Sequence, residues 1–148
     1  MEHDVEPSPP RFLLDIAGMC AGAAWVPSPH FDPRPEGARV ELLVIHNISL
    51  PPGEFGGACI TDLFLGCLDP AAHPYFAQLA GLRVSAHFLV RRGGAVVQYV
   101  PCALRAWHAG ASSWQGRERC NDFSVGIELE GTDETPFTDA QYAALAGL

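Results

Sequence analysis

The pattern of apolar and polar positions predicts a strand-rich chain carrying a few short helices. Residues 42–47, LLVIHN, form an unbroken apolar run that closes on a histidine and an asparagine. A run of this kind reads as a strand covered on both faces, delivering His46 to the rim of a cleft. Residues 85–91 and 95–100 are β-rich and meet around Gly93 and Gly94, which predicts a hairpin. In its first strand Ser85, His87 and Leu89 share one face, and Ala86, Phe88 and Val90 the other. In residues 124–131, SVGIELEG, Val125, Ile127 and Leu129 alternate with Gly126, Glu128 and Glu130, so the two acids point the same way.

Helical spacing is weaker. Short helices are expected at residues 59–65 and at 74–82, where Phe76, Leu79 and Ala80 fall on one face. A third begins at Thr138, with Gln141 three positions on as a capping box and Tyr142, Leu145 and Leu148 as its apolar stripe. It meets the end of the chain in mid-pattern on Leu148, without the basic last turn that often closes a helix, which predicts a domain incomplete at its C-terminal side. The prolines of VPSPHFDPRP, residues 26–35, force an extended loop carrying His30 and Asp32, and ISLPPGEFGG, residues 48–57, makes a long loop leaving the strand end. Residues 105–108 read as loop and 110–123 as a polar, exposed segment. Residues 1–24 are expected to be a mobile extension, with a possible short helix or docking segment from residue 12, and 25–148 the single domain.

Composition narrows the class. At 148 residues and 48% hydrophobic content the chain is long enough for a real core. A formal charge of −8 argues against nucleic acid as a partner. All nine basic residues are arginine, which excludes a catalytic lysine within the chain and favours forked recognition of carboxylates. The five cysteines lack C-x-x-C spacing, so reduced thiols in a cytoplasmic protein are expected. The acidic start, with an apolar stretch interrupted by Asp15, does not read as a secretory leader, and no run reaches membrane-spanning length.

Candidate chemistry is dispersed. Six histidines form no H-x-H or H-E-x-x-H pattern, so a metal site would have to be assembled from distant segments. On residue type alone His46 is either a metal ligand or a hydrogen-bonded strand-end histidine. His87 and His108 lean towards structural or substrate-facing roles. Glu128 and Glu130, about 7 Å apart on one strand face, admit a glycosidase pair, a general base for activated water, or two solvated carboxylates. Arg83, Arg117 and Arg119, interleaved with Trp107 and Trp114, are either an anion-binding groove or scattered surface arginines.

Taken together, VPSPHFDPRP, VIHNISLPPGEFGG, RVSAHFLVRR, RAWHAG and GRERCNDFSVGIELEGTD, running in order from about residue 25 to 148, closely resemble the cytoplasmic anhydro-N-acetylmuramyl-L-alanine amidases. The resemblance implies an α/β fold with a mixed central β-sheet and helices packed on it, and a monomer acting on muropeptides in cell-wall recycling, with no membrane partner. It implies Zn2+ as cofactor, His46 as the first zinc ligand, and Glu128 as the catalytic glutamate. It also places Asn47, Arg83, Trp107 and Arg119 in the muropeptide cleft, Asn47 near the metal. In that family a second histidine, an aspartate ligand and a lysine follow the helix that begins here at Thr138. The chain alone is therefore expected to bind zinc poorly and to leave apolar sheet surface open. Two further readings stay in view: a metal-free module that binds peptidoglycan fragments, and a glycosidase using Glu128 with Glu130.

Overall fold

The computed structural model describes residues 11–148. In chain order the elements are β1 (Leu13–Leu14), β2 (Cys20–Ala21), β3 (Ala24–Trp25), β4 (Phe31–Pro33), β5 (Leu42–Ile48), α1 (Cys59–Leu65), a 3-10 turn (Pro74–Leu79), β6 (Phe88–Val90), β7 (Val96–Gln98) and β8 (Leu104–Ala106). There follow β9 (Ser113–Trp114), β10 (Arg117–Glu118), a second 3-10 turn (Cys120–Phe123), β11 (Ser124–Glu130) and α2 (Asp139–Gly147). The main sheet has the order β3-β7-β6-β11-β5 and is mixed: β6 and β7 pair antiparallel, whereas β11 runs parallel to both β6 and β5.

Alternation along β11 divides the core in two. Val125, Ile127 and Leu129 pack with Phe88, Val90 and Ala144 on the α2 side, while Leu89, Ile60, Leu63, Phe64 and Phe76 fill the opposite side under α1. The sheet is thus sandwiched, the arrangement that βαβ-type connections produce. Ser124, Gly126, Glu128 and Glu130 face the α1 layer by the same alternation.

Several expectations are corrected. β5 is an edge strand, not one covered on both faces: Leu43 and Ile45 remain 54% and 49% exposed on the α2 side. A continuous apolar run does not reveal its place in the sheet, and the doubly buried central strand is β11. With Val125, Ile127 and Leu148, Leu43 lines an open apolar cavity of about 600 Å³. The helix expected at 74–82 is a short 3-10 turn ending at Leu79. α2 does start with the Thr138–Gln141 capping box. Of its expected stripe, Leu145 and Leu148 pack against the core while Tyr142 is exposed, and Gln141 and Ala144 are the helix's fully buried positions.

Residues 105 and 106 belong to β8, which pairs antiparallel with β4, rather than to a loop. The segment 110–123 is also not wholly exposed, because Cys120, Asn121 and Phe123 are buried. Within the extension expected over residues 1–24, β1 and β2 form a ladder and Cys20 is buried in the α2-side core. Residues 1–10 of that extension lie outside the described residues. All five cysteines are free thiols. Among the described residues no helix is long and apolar enough to cross a membrane.

Candidate functional site

The site lies on the α1 side of the β5–β11 pair. Parallel pairing sets Glu128 directly opposite His46, so two strands distant in sequence present a carboxyl and an imidazole at one level of the sheet. Two positions earlier Gly126 leaves a bare patch of strand, and the His108 ring lies on it: a Cβ at Gly126 would come within 2.3 Å of His108 Cγ. Glycine is the one residue that admits this approach.

His108 is held from several directions. Its backbone N–H and that of Ala109 donate to Asn121 Oδ1, its Nε2 lies 3.0 Å from Ser124 Oγ, and its Nδ1 lies 2.9 Å from His46 Nε2. His87 sits behind it. The Gly126 N–H donates to His87 Nδ1, which makes Nε2 the protonated nitrogen that donates to the Leu104 carbonyl. The sequence contains no motif joining these three histidines; the mid-strand glycine at 126 is the one signal that a ring or backbone approaches closely here.

Burial sets the protonation states. Desolvation lowers the His46 pKa, takes His87 down to about 4, against the Leu104 hydrogen bond and with help from Arg34, and takes His108 down to about 3, helped by His87, His46 and Arg34. All three are neutral at pH 7. Glu128 is only 8% exposed, and burial pushes its carboxyl up to about 8. Its Oε2 is buried with no hydrogen-bond partner. A buried, unpaired carboxyl beside a cleft is the state expected of a proton-transfer group rather than a structural one.

Glu130, on the same face, has the opposite fate. Its Oε2 accepts from Arg91 Nη1 at 2.8 Å and from the Gly56 N–H, and its Oε1 accepts from the Arg92 N–H. A carboxylate committed to three donors is not free to act as the second acid of a glycosidase, and that reading is set aside.

The cleft above Glu128 is a cavity of about 380 Å³, with Arg83, Trp107, His108 and Asn121 among its walls. The Trp107 indole donates to Asp32 and stacks under Arg105, which pairs with Asp122. Asp122 also holds Arg119, which lines a neighbouring hollow that shares Gly110 with the Glu128 cavity. Asn47 points to the other face of β5, where its Nδ2 donates to Asp133 at 2.7 Å. The structure therefore brings Glu128, Arg83 and Trp107 to one cavity, with His46 registered beside Glu128 but not among the cavity's walls, sets Arg119 in the neighbouring hollow, and places Asn47 in a further one.

The zinc site implied by the resemblance would draw on His46 among these side chains. His46 offers one neutral imidazole, already facing His108, and among the described residues no group of three or more His, Cys, Asp or Glu side chains is placed to hold a metal. A catalytic zinc requires three protein ligands and an open position. The residues described do not fit that requirement. A thiol alternative has little support, since Cys20, Cys102 and Cys120 are buried and burial pushes Cys102 up to about 11.

Comparison with known proteins gives the family. Residues 36–148 match the family model described as N-acetylmuramoyl-L-alanine amidase. The chain is 66% identical over 136 residues to the 1,6-anhydro-N-acetylmuramyl-L-alanine amidase AmpD of Citrobacter freundii, covering 92% of this chain and 72% of that protein. It is 65% identical to the Escherichia coli protein of the same name, with 92% and 74% covered. A crystal structure of a selenomethionine AmpD derivative superposes with a TM-score of 0.88 at 67% identity, covering 90% of this chain and 74% of that one. With the mixed sheet and the Glu128 cleft already in place, these matches establish that the chain belongs to the N-acetylmuramoyl-L-alanine amidase family.

Proposed function

We propose that this amidase hydrolyses the amide between anhydro-N-acetylmuramic acid and L-alanine in muropeptides, as a cytoplasmic monomer in cell-wall recycling, with Glu128 as the proton-transfer group. The observation that carries the reading is Glu128 itself: buried at the floor of a cleft, registered against His46, with Oε2 unpartnered. The printed names of the relatives support the choice of substrate.

In this reading the ionised form of Glu128, the minority form below its pKa of about 8, takes a proton from a water in the cleft as the water oxygen adds to the amide carbonyl. The same carboxyl then returns that proton to the departing L-alanine nitrogen, so one group serves as base and acid in turn. Glu128 lines the cleft while its neighbours Ile127 and Leu129 pack in the core on the opposite face, so attack comes from the cleft. Arg83 and Arg119 meet the carboxylates of the peptide, and Trp107, braced by Asp32 and Arg105, supplies a flat wall.

Zinc enters as the cofactor implied by the resemblance, with His46 its ligand in this chain. Because the described residues lack a three-ligand group, a second reading stands beside the first: a metal-free module that binds peptidoglycan fragments. Release of L-alanine peptides from an anhydromuramyl peptide, followed chromatographically alongside the zinc content of the purified chain, separates them. Turnover that Glu128→Gln lowers by about 100-fold or more supports the amidase reading. Binding without turnover supports the module. Turnover unchanged in Glu128→Gln overturns the role of Glu128.

A further inference from the structure

Glu130 lies in the core beside the cleft yet takes no part in the chemistry. It is 2% exposed, and the strand delivers its carboxylate to three donors: Arg91 Nη1 at 2.8 Å, the Gly56 N–H at 3.1 Å and the Arg92 N–H at 3.3 Å. Arg91 reaches onward with Nη2 to the Gly57 carbonyl at 3.0 Å, and the Arg92 guanidinium lies 4.6 Å over the Phe55 ring. These contacts converge on residues 55–57, the far end of the loop that leaves β5.

The near end of the loop has its own anchors, Leu50 in the core, the Gly53 N–H on Ser49 Oγ and the Glu54 N–H on the Pro51 carbonyl, whereas the far end depends on the contacts from Arg91, Arg92 and Glu130. Residues 52–58 are exposed, Gly53, Gly56 and Gly57 stand at positive φ, and no other side chain or backbone atom crowds these glycines within 4 Å of a built Cβ. Yet its near end, at Leu50, Pro52 and Gly53, walls a hollow of about 380 Å³ with Asn47 and Asp133. That hollow adjoins the Glu128 cavity, with Ile48 and Leu63 in the wall of both.

We propose that Glu130 is a positioning residue: with Arg91 it clamps residues 55–57 and thereby sets the loop as one wall of the substrate cleft. A buried carboxylate is suited to this work, because charge-assisted bonds to a backbone N–H and a guanidinium are short and directional where neutral ones would yield. Chain freedom that the glycines would otherwise keep is removed by an anchor outside the loop. The identity of the ligand rests on the function proposed above; the clamp itself does not.

The test compares wild type with Glu130→Ala and with Arg91→Ala, the second leaving the buried strand intact. Amide hydrogen exchange is followed at residues 53–57 and along β11, muropeptide affinity by calorimetry, and turnover by KM and kcat. Expected for both variants are at least tenfold faster loop exchange with β11 unchanged, at least fivefold weaker muropeptide binding and a matching rise in KM, and kcat within twofold. Unchanged loop exchange in Arg91→Ala, or a loosened loop with affinity unaltered, overturns the proposal. A wild-type chain with no muropeptide affinity overturns the proposed function instead, and loop exchange then still decides the clamp.

Discussion

Gly126 shows how one missing methyl group organises a site. Its bare backbone accepts the His108 ring on one side while its N–H and C=O are both engaged by His87. Adding a Cβ would drive it into His108, and the ring is already held through Asn121, Ser124 and His46. Gly126→Ala is therefore expected to destabilise the fold by about 1–3 kcal/mol, the usual range for overpacking. It should also displace His108 from His46. Urea unfolding reads the first effect, and the imidazole resonances of His46 and His108 in a nuclear magnetic resonance spectrum read the second. A variant with wild-type stability and unmoved histidine signals would show that the contact is slack.

At the scale of elements, α2 is coupled to β6 and to the end of β11 through Gln141. Its side chain is fully buried; its Nε2 donates to the Val90 and Glu130 carbonyls, and its Oε1 accepts from the Thr138 N–H. Thr138 in turn caps the helix and donates to the Arg92 carbonyl. The capping box was legible because its residues lie three apart. The sheet contacts of Gln141 are not legible in this way, since they join segments that only the fold brings together, and apolar spacing alone therefore puts Tyr142 on the buried face. Thr138→Ala should cost about 1 kcal/mol for the cap, with a further loss from the Arg92 carbonyl left unpaired. Thermal unfolding would measure it, and a change within error would mean that water replaces the hydroxyl at no cost.

For the molecule as a whole, buried titrating groups set a pH dependence with two slopes in the metal-free chain. His46, His87 and His108 have folded pKa values below their ordinary 6.5, so the unfolded chain binds more protons and stability falls as pH drops below 6.5. Glu128 acts oppositely: its folded pKa of about 8 lies above 4.5, so the folded chain keeps a proton and stability declines as pH rises towards 8. Below 6.5 the histidines outnumber the glutamate; from 6.5 to about 8 the glutamate acts alone, and the buried Cys20 and Cys102 thiols, held above their ordinary 9.0, add a further decline only near and above pH 9. Stability should therefore peak near pH 6.5 and fall by about 2 kcal/mol on reaching pH 8. Glu128→Gln should abolish that upper decline. Denaturation midpoints across pH 4–9 check both slopes, and an upper limb surviving in the variant would refute the assignment.

The sequence by itself determined the elements whose periods are local: β5 with His46 at its end, the β6–β7 hairpin, α1, the capping box of α2, and the shared face of Glu128 and Glu130. Its ordered segments also carried the family. Only the tertiary structure decided that β5 pairs parallel with β11 in the register that sets His46 against Glu128, that His108 settles on Gly126, and that Asn47 turns away towards Asp133. It also parted the two glutamates, leaving one unpaired in the cleft and the other clamped by Arg91 and Gly56. The reason is physical. Alternation along a strand specifies a face, but the partners met on that face are chosen by strand pairing and packing across the whole chain, and those partners set burial, protonation and chemistry.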